Sequence, residues 1–136
     1  MICPVLAPDP QPQPLWFHSV ESYHGATEHL CDLAAVTVAA AFAVPVEELR
    51  ASTRRAPAVA FARQSAMYLA HVVFGLTLTD IGRAFGRDRT TAFYACTRVE
   101  DLREDPVMDA VIESLERACG SLGRRLLEQV ACKVRS

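Results

Sequence analysis

"GRAFGRDRTTAFYACTRVE", residues 82–100, begins like the end of one helix and finishes like the middle of another. Between them lies Gly86-Arg87-Asp88-Arg89-Thr90-Thr91, one glycine followed by a run with almost nothing apolar to bury. Two β-branched threonines stand side by side at the helix opening, where their stiff side chains lower helix propensity. The flanking segments are good helix formers, so the weak opening needs a reason. Residues that must be polar and project from a helix tip would supply one. Two helices joined by a tight glycine turn have the layout of a helix-turn-helix, in which the second helix enters the major groove and its first residues meet base edges.

Outward from this stretch the sequence reads as helices throughout. Thr77-Leu78-Thr79-Asp80 forms a cap for a helix that turns Leu78, Ile81 and Phe85 inward and stops at Gly86. The next helix, from about Arg89 to Arg103, buries Phe93, Cys96, Val99 and Leu102. Upstream, Pro57 opens a helix to Phe74 whose Ala60, Met67, Ala70, Val73 and Phe74 recur at three- and four-residue steps, with Gly75 as its stop. Arg63 and Gln64 lie off that stripe. Pro45 starts a short VEELR helix. Before it, a helix from Glu28 to Ala43 is expected, with Thr27 as N-cap and a stripe of Leu30, Leu33, Ala34, Val38, Ala41 and Phe42. Downstream, Pro106 begins a helix with Val107, Val111, Ile112, Leu115 and Cys119, and Gly120 and Gly123 are expected to interrupt it before an amphipathic RRLLEQVACKV. No stretch alternates with period two, so the fold class is all-α.

The 136 residues divide into a Pro-rich N-terminal arm (1–26), a helical domain (27–120) and an amphipathic C-terminal tail (121–136). The arm carries five prolines and ends in Trp16, Phe17 and Tyr23, which read more readily as a strap over the domain than as a binding motif. Net charge is only −2, yet Arg50 to Arg103 holds nine arginines against four acidic residues. A neutral chain with a basic middle can still hold a polyanion, because the local field decides. Five cysteines show no C-x-x-C and no zinc-ligand spacing, and are expected to be reduced, packed thiols. His18, His24, His29 and His71 make no ligand set, so no metal, cofactor or catalysis is expected. The run LAAVTVAAAFAV is too short to cross a bilayer, and no signal peptide opens the chain. A cytoplasmic, nucleoid-associated protein without a membrane partner is expected.

The tip has the right chemistry for reading DNA. Arginine grips guanine through two parallel hydrogen bonds, aspartate accepts from the cytosine amine, and threonine offers a hydroxyl and a methyl. A purely local explanation also stands: Asp88 as an N-cap, the threonines serving the same end, and the arginines as a solvated face.

The segment from about Glu28 to Gly120 resembles the C-terminal DNA-binding domain of the bacterial chromosomal replication initiator DnaA. That family's pattern is roughly I-G-x-x-F-G-G-R-D-H-T-T-V, preceded by R-Q-x-x-M-x-L. Here the matching blocks are IGRAFGRDRTTA at 81–92 and ARQSAMYLA at 62–70. The resemblance implies a compact, Trp-repressor-like domain of about six helices that binds double-stranded DNA. It implies base contacts from Asp88, Arg89 and Thr90 in the major groove, with Thr91 on a phosphate. Arg63 and Gln64 fall on the family's backbone-holding R-Q, and Arg55 on its minor-groove arginine, with Arg54 beside it as a phosphate contact. Thr77 and Thr79 lie at the lip of the fourth helix, the first for phosphate and the second for base contact, and Arg87 joins the phosphate set.

Two departures stand out. Only Gly86 precedes Arg-Asp where the family usually has two glycines, so the turn is one residue shorter. Arg89 replaces the family histidine, which predicts a changed base preference, favouring guanine. The sequence also contains no G-x-x-x-x-G-K-[ST] loop, so an ATP-driven initiator motor is not expected. The function expected is that of a stand-alone DNA reader, a transcriptional regulator or a modulator of replication at initiator boxes. The alternative is an interaction module, in which the arm or tail makes a homodimer or takes a protein partner.

Overall fold

The computed structural model describes residues 26–49 and 57–135. The arm up to residue 25 and the segment carrying Arg54 and Arg55 lie outside the described residues. Six helices and no strand occur among those described: α1 (Ala26–Phe42), α2 (Val46–Leu49), α3 (Pro57–Val72), α4 (Leu78–Ala84), α5 (Arg89–Leu102) and α6 (Pro106–Arg135).

Helix α3 is the centre of the domain, packed chiefly against α1 and α5. Val59, Ala62, Ser65, Ala66, Met67, Tyr68, Leu69 and Ala70 are all buried, most of one helix's circumference. Small residues dominate that set because neighbours approach on more than one side. A one-sided stripe therefore understates α3, and Ala60 and Val73, expected on it, are only half-buried. On α1 the buried face is Leu30, Cys31, Ala34, Ala35, Val38 and Ala39, while Ala41 is exposed. The helix begins at Ala26, so Thr27 sits inside its first turn instead of capping it.

The expected inward residues of α4, Leu78, Ile81 and Phe85, are buried, as are Cys96 and Val99 of α5. Phe93 and Leu102 are half-buried, and Ala92 and Ala95 complete the α5 core face. Gly75 has φ +67° just past α3, the stop expected there.

Two expectations for the last helix fail. Val107 is 70% exposed in the first turn, outside the core face of Ile112, Leu115 and Cys119. Gly120 and Gly123 do not interrupt α6, which runs on to Arg135. A Cβ on Gly123 would stand 2.4 Å from Cε1 of the fully buried Phe74, so the position is bare to admit that ring. Four residues on, Leu127 is buried too, so the helical part of the tail continues the packing of α6.

Arg103, just after α5, ties three helices together. Its guanidinium donates to Asp109 Oδ1 at 2.6 Å, to the Tyr68 hydroxyl at 2.9 Å and to Glu116 Oε1. Burial works against the charge, but these partners outweigh it and hold Arg103 above its ordinary value.

Candidate nucleic-acid interface

The turn between α4 and α5 is set by backbone hydrogen bonds. Phe85 ends α4, Gly86 follows with φ +66°, and the next two amides fold back onto the helix. Gly86 N–H donates to the Arg83 carbonyl at 3.2 Å, and Arg87 N–H to the Gly82 carbonyl at 2.7 Å. This is a Schellman ending, and it needs only one residue of positive φ. A single glycine therefore suffices, and the short turn still delivers the chain into α5.

Asp88 starts that helix. Its backbone is extended (φ −87°, ψ 170°), and Oδ1 accepts from the Thr91 amide at 2.7 Å. The Thr91 amide, joined by the Thr91 hydroxyl, holds the carboxyl below the usual carboxylate range. The N-cap explanation for Asp88 is thus realised, which leaves the second carboxylate oxygen to do anything further. Arg89 and Thr90 follow as exposed residues on the first turn of α5, projecting from the body of the protein. Thr91 is exposed as well.

Thr77 caps α4 in the same way, its Oγ1 accepting from the Asp80 amide at 3.1 Å. Thr79 is exposed one residue before Asp80. Arg87 is half-buried and turns its guanidinium back toward the Phe85 and Gly86 carbonyls, at 3.4 and 3.3 Å.

Arg63 is more engaged than its place off the stripe suggests. Its Nε donates to the Leu49 carbonyl at 2.7 Å and Nη2 to the Glu48 carbonyl at 3.0 Å. Lone carbonyls at the end of α2 are satisfied this way, and the guanidinium is tied to the point where the chain leaves that helix. Burial, and next the nearby charge of Arg87, lower the Arg63 pKa. Like charges held together in this way favour an anion between them.

These side chains meet around one concavity of about 210 Å³. Arg63 and Gln64 from α3, Arg87 from the turn, and Thr91 from α5 form its polar rim. Ala60, Met67 and Ala95 make an apolar floor. Four residues placed in the phosphate set from sequence are therefore neighbours in space. Arg89 and Thr90 lie beside them on the exposed first turn, while Thr77 and Thr79 belong to the opening of α4.

Sequence reasoning missed one residue of this rim. Tyr94 lines the concavity one turn beyond Thr91 and is 65% exposed, on a helix whose other aromatic, Phe93, is half-buried. An aromatic in a helical pattern reads as core, and only the i, i+3 step from Thr91 hints that it shares the polar face. No group of three or more potential metal ligands occurs among the described residues, and no helix there is long and apolar enough to cross a membrane.

A family profile described as "Bacterial dnaA protein helix-turn-helix" matches residues 32–99, half of the 136-residue chain. A "Chromosomal replication initiator protein DnaA" from Caulobacter sp. (strain K31) is 47% identical over 68 residues, covering 48% of this chain and 14% of that protein. Among solved structures, the crystal structure of a DNA replication initiation factor is similar with a TM-score of 0.64 and 29% identity, covering 71% of this chain and 30% of that one. The chain thus corresponds to a small part of the length of each relative. The matched region spans α3, the turn and nearly all of α5, with both sequence blocks and the whole rim of the concavity. On that correspondence of fold, motif and site, the chain belongs to the bacterial DnaA helix-turn-helix family.

Proposed function

We propose that this protein is a sequence-specific reader of double-stranded DNA acting as a transcriptional regulator. Membership of the family implies DNA binding; sequence-specific reading is supported above all by the exposed Arg89 and Thr90 on the first turn of α5. In this reading Asp88, Arg89 and Thr90 meet base edges in the major groove, with Thr79 at the margin. Arg63, Gln64, Thr77, Arg87 and Thr91 hold the backbone and fix the register. Arg54 and Arg55 add phosphate and minor-groove contacts from the segment outside the described residues. The protein would work at the nucleoid.

A second role is occupancy of initiator-type boxes to modulate replication, suggested by the name of the Caulobacter relative. The two roles separate by chromatin immunoprecipitation with sequencing, as promoter peaks or as peaks at clustered initiator boxes. DNA binding itself is tested by titrating duplexes over a range of salt. The phosphate set contains three arginines, Arg54, Arg63 and Arg87, so log affinity falls with log salt at a slope of roughly −3 or steeper. A slope near zero contradicts backbone binding.

A further inference from the structure

Tyr94 stands outside the set of residues assigned to DNA, and its surroundings give it a role there. The ring is 65% exposed, although a tyrosine is large enough to add substantially to a core. It is not loose. It meets the Phe93 ring in a T-shaped arrangement, at a centroid distance of 5.6 Å and an interplanar angle of 68°, and Phe93 is itself half-buried on the α5 core face. The ring is thus held beside the concavity whose rim carries Arg63, Gln64, Arg87 and Thr91.

That concavity combines two features. Its floor is apolar, made by Ala60, Met67 and Ala95. Its rim supplies cationic and neutral hydrogen-bond donors. A nucleotide backbone unit has the matching pair of faces: an apolar sugar ring and an anionic phosphate. Volume agrees, since about 210 Å³ has room for one such unit.

We propose that the concavity seats one deoxyribose-phosphate of a DNA strand, with Tyr94 as its wall on the α5 side, the ring against the sugar and the hydroxyl donating to a phosphate oxygen. Tyr94 is then a backbone-positioning residue that extends the interface one turn along α5. Phosphate contacts carry no sequence information, so Tyr94 tightens binding without choosing bases. Being neutral, the phenol displaces no counterion, which sets it apart from Arg87 on the same rim.

The assignment rests on the DNA-binding reading and is tested by measuring affinity for a duplex selected from a random pool, over a range of salt. The full chain is compared with Tyr94→Phe, Tyr94→Ala and Arg87→Ala. Tyr94→Phe is expected to weaken binding about fivefold with the salt slope unchanged, as for the net contribution of one hydrogen bond at an exposed site. Tyr94→Ala should weaken it tenfold or more, and Arg87→Ala should make the slope shallower by about one. Because Tyr94 is exposed, the circular dichroism and melting of both Tyr94 variants should match the parent. A Tyr94→Phe variant that binds like the parent overturns the hydroxyl contact, whatever Tyr94→Ala does. A Tyr94→Phe loss confined to particular base sequences overturns the backbone assignment. Failure of the parent chain to bind any duplex would sink the DNA reading itself, and this assignment with it.

Discussion

Gly82 and Arg87 are locked together across the turn: the Gly82 carbonyl accepts the Arg87 amide at 2.7 Å, and a Cβ on Gly82 would lie 2.8 Å from the Arg87 carbonyl. The same Cβ would also stand 2.8 Å from the Asp88 carbonyl. Both obstacles are backbone, so no side-chain rotation relieves them. Helix α4 is bare at this point to let the opening of α5 rest directly on it.

Gly82→Ala is therefore expected to destabilise the fold by about 2 kcal/mol, although alanine is the better helix former. The turn must move to accept the methyl, which displaces Asp88 and the residues behind it. DNA affinity measured below the melting transition should fall at least tenfold. A variant as stable as the parent contradicts the close packing described for this turn.

Gly123→Ala offers a contrast on α6. On an exposed helix the change would add about 1 kcal/mol of stability. Here the new Cβ would stand 2.4 Å from the Phe74 ring, which is fully buried and has little room to turn. The sign should reverse, with a loss of about 1–2 kcal/mol in denaturant titrations. DNA binding of the surviving folded fraction should be unaffected, since neither residue lines the interface.

The two jobs of Asp88 can be separated. Asp88→Ala removes the N-cap of α5 and is expected to lower the melting temperature by about 2–4 °C. Asp88→Ser keeps a cap and should melt close to the parent, yet it loses the carboxylate that would accept from a base. The carboxyl is held below its ordinary range in the folded protein, so its contribution is present above the unfolded value, near 4, and fades as pH falls through the lower folded value. The gap in melting temperature between parent and Asp88→Ala should accordingly be constant near neutral pH and narrow on acidification below about pH 4.

Arg103 is a different kind of test, because it touches no part of the interface. Its removal in Arg103→Met leaves Asp109 and Glu116 without their shared cation and the Tyr68 hydroxyl without its donor. A loss of about 2 kcal/mol is expected. Arg103→Lys should recover less than half of it, since one ammonium cannot reproduce the fork that reaches three partners. Full recovery by lysine would mean that charge alone matters there.

The caps of α4 and α5 and the turn glycine were legible in the sequence because each acts on its own neighbours. Thr77 reaches Asp80, Asp88 reaches Thr91, and Gly86 bends its own backbone. What escaped depends on residues far apart in the chain. Gly123 reads as a helix break until Phe74, forty-nine positions away, is seen against it. Arg63 reads as a surface cation, whereas two of its hydrogen bonds go to carbonyls fourteen and fifteen residues earlier. Tyr94 was hidden for the opposite reason, since periodicity cannot tell an aromatic held at the surface from one in the core.

The most direct measurement of the central claim is selection of bound duplexes from a random pool by the parent chain and by Arg89→Ala, in parallel. If the first turn of α5 reads base edges, the parent enriches a defined motif with guanine preferred opposite Arg89. The variant then loses that preference at one or two adjacent positions while the rest of the motif survives. Enrichment of the same motif by both proteins, or of none by the parent, would contradict it.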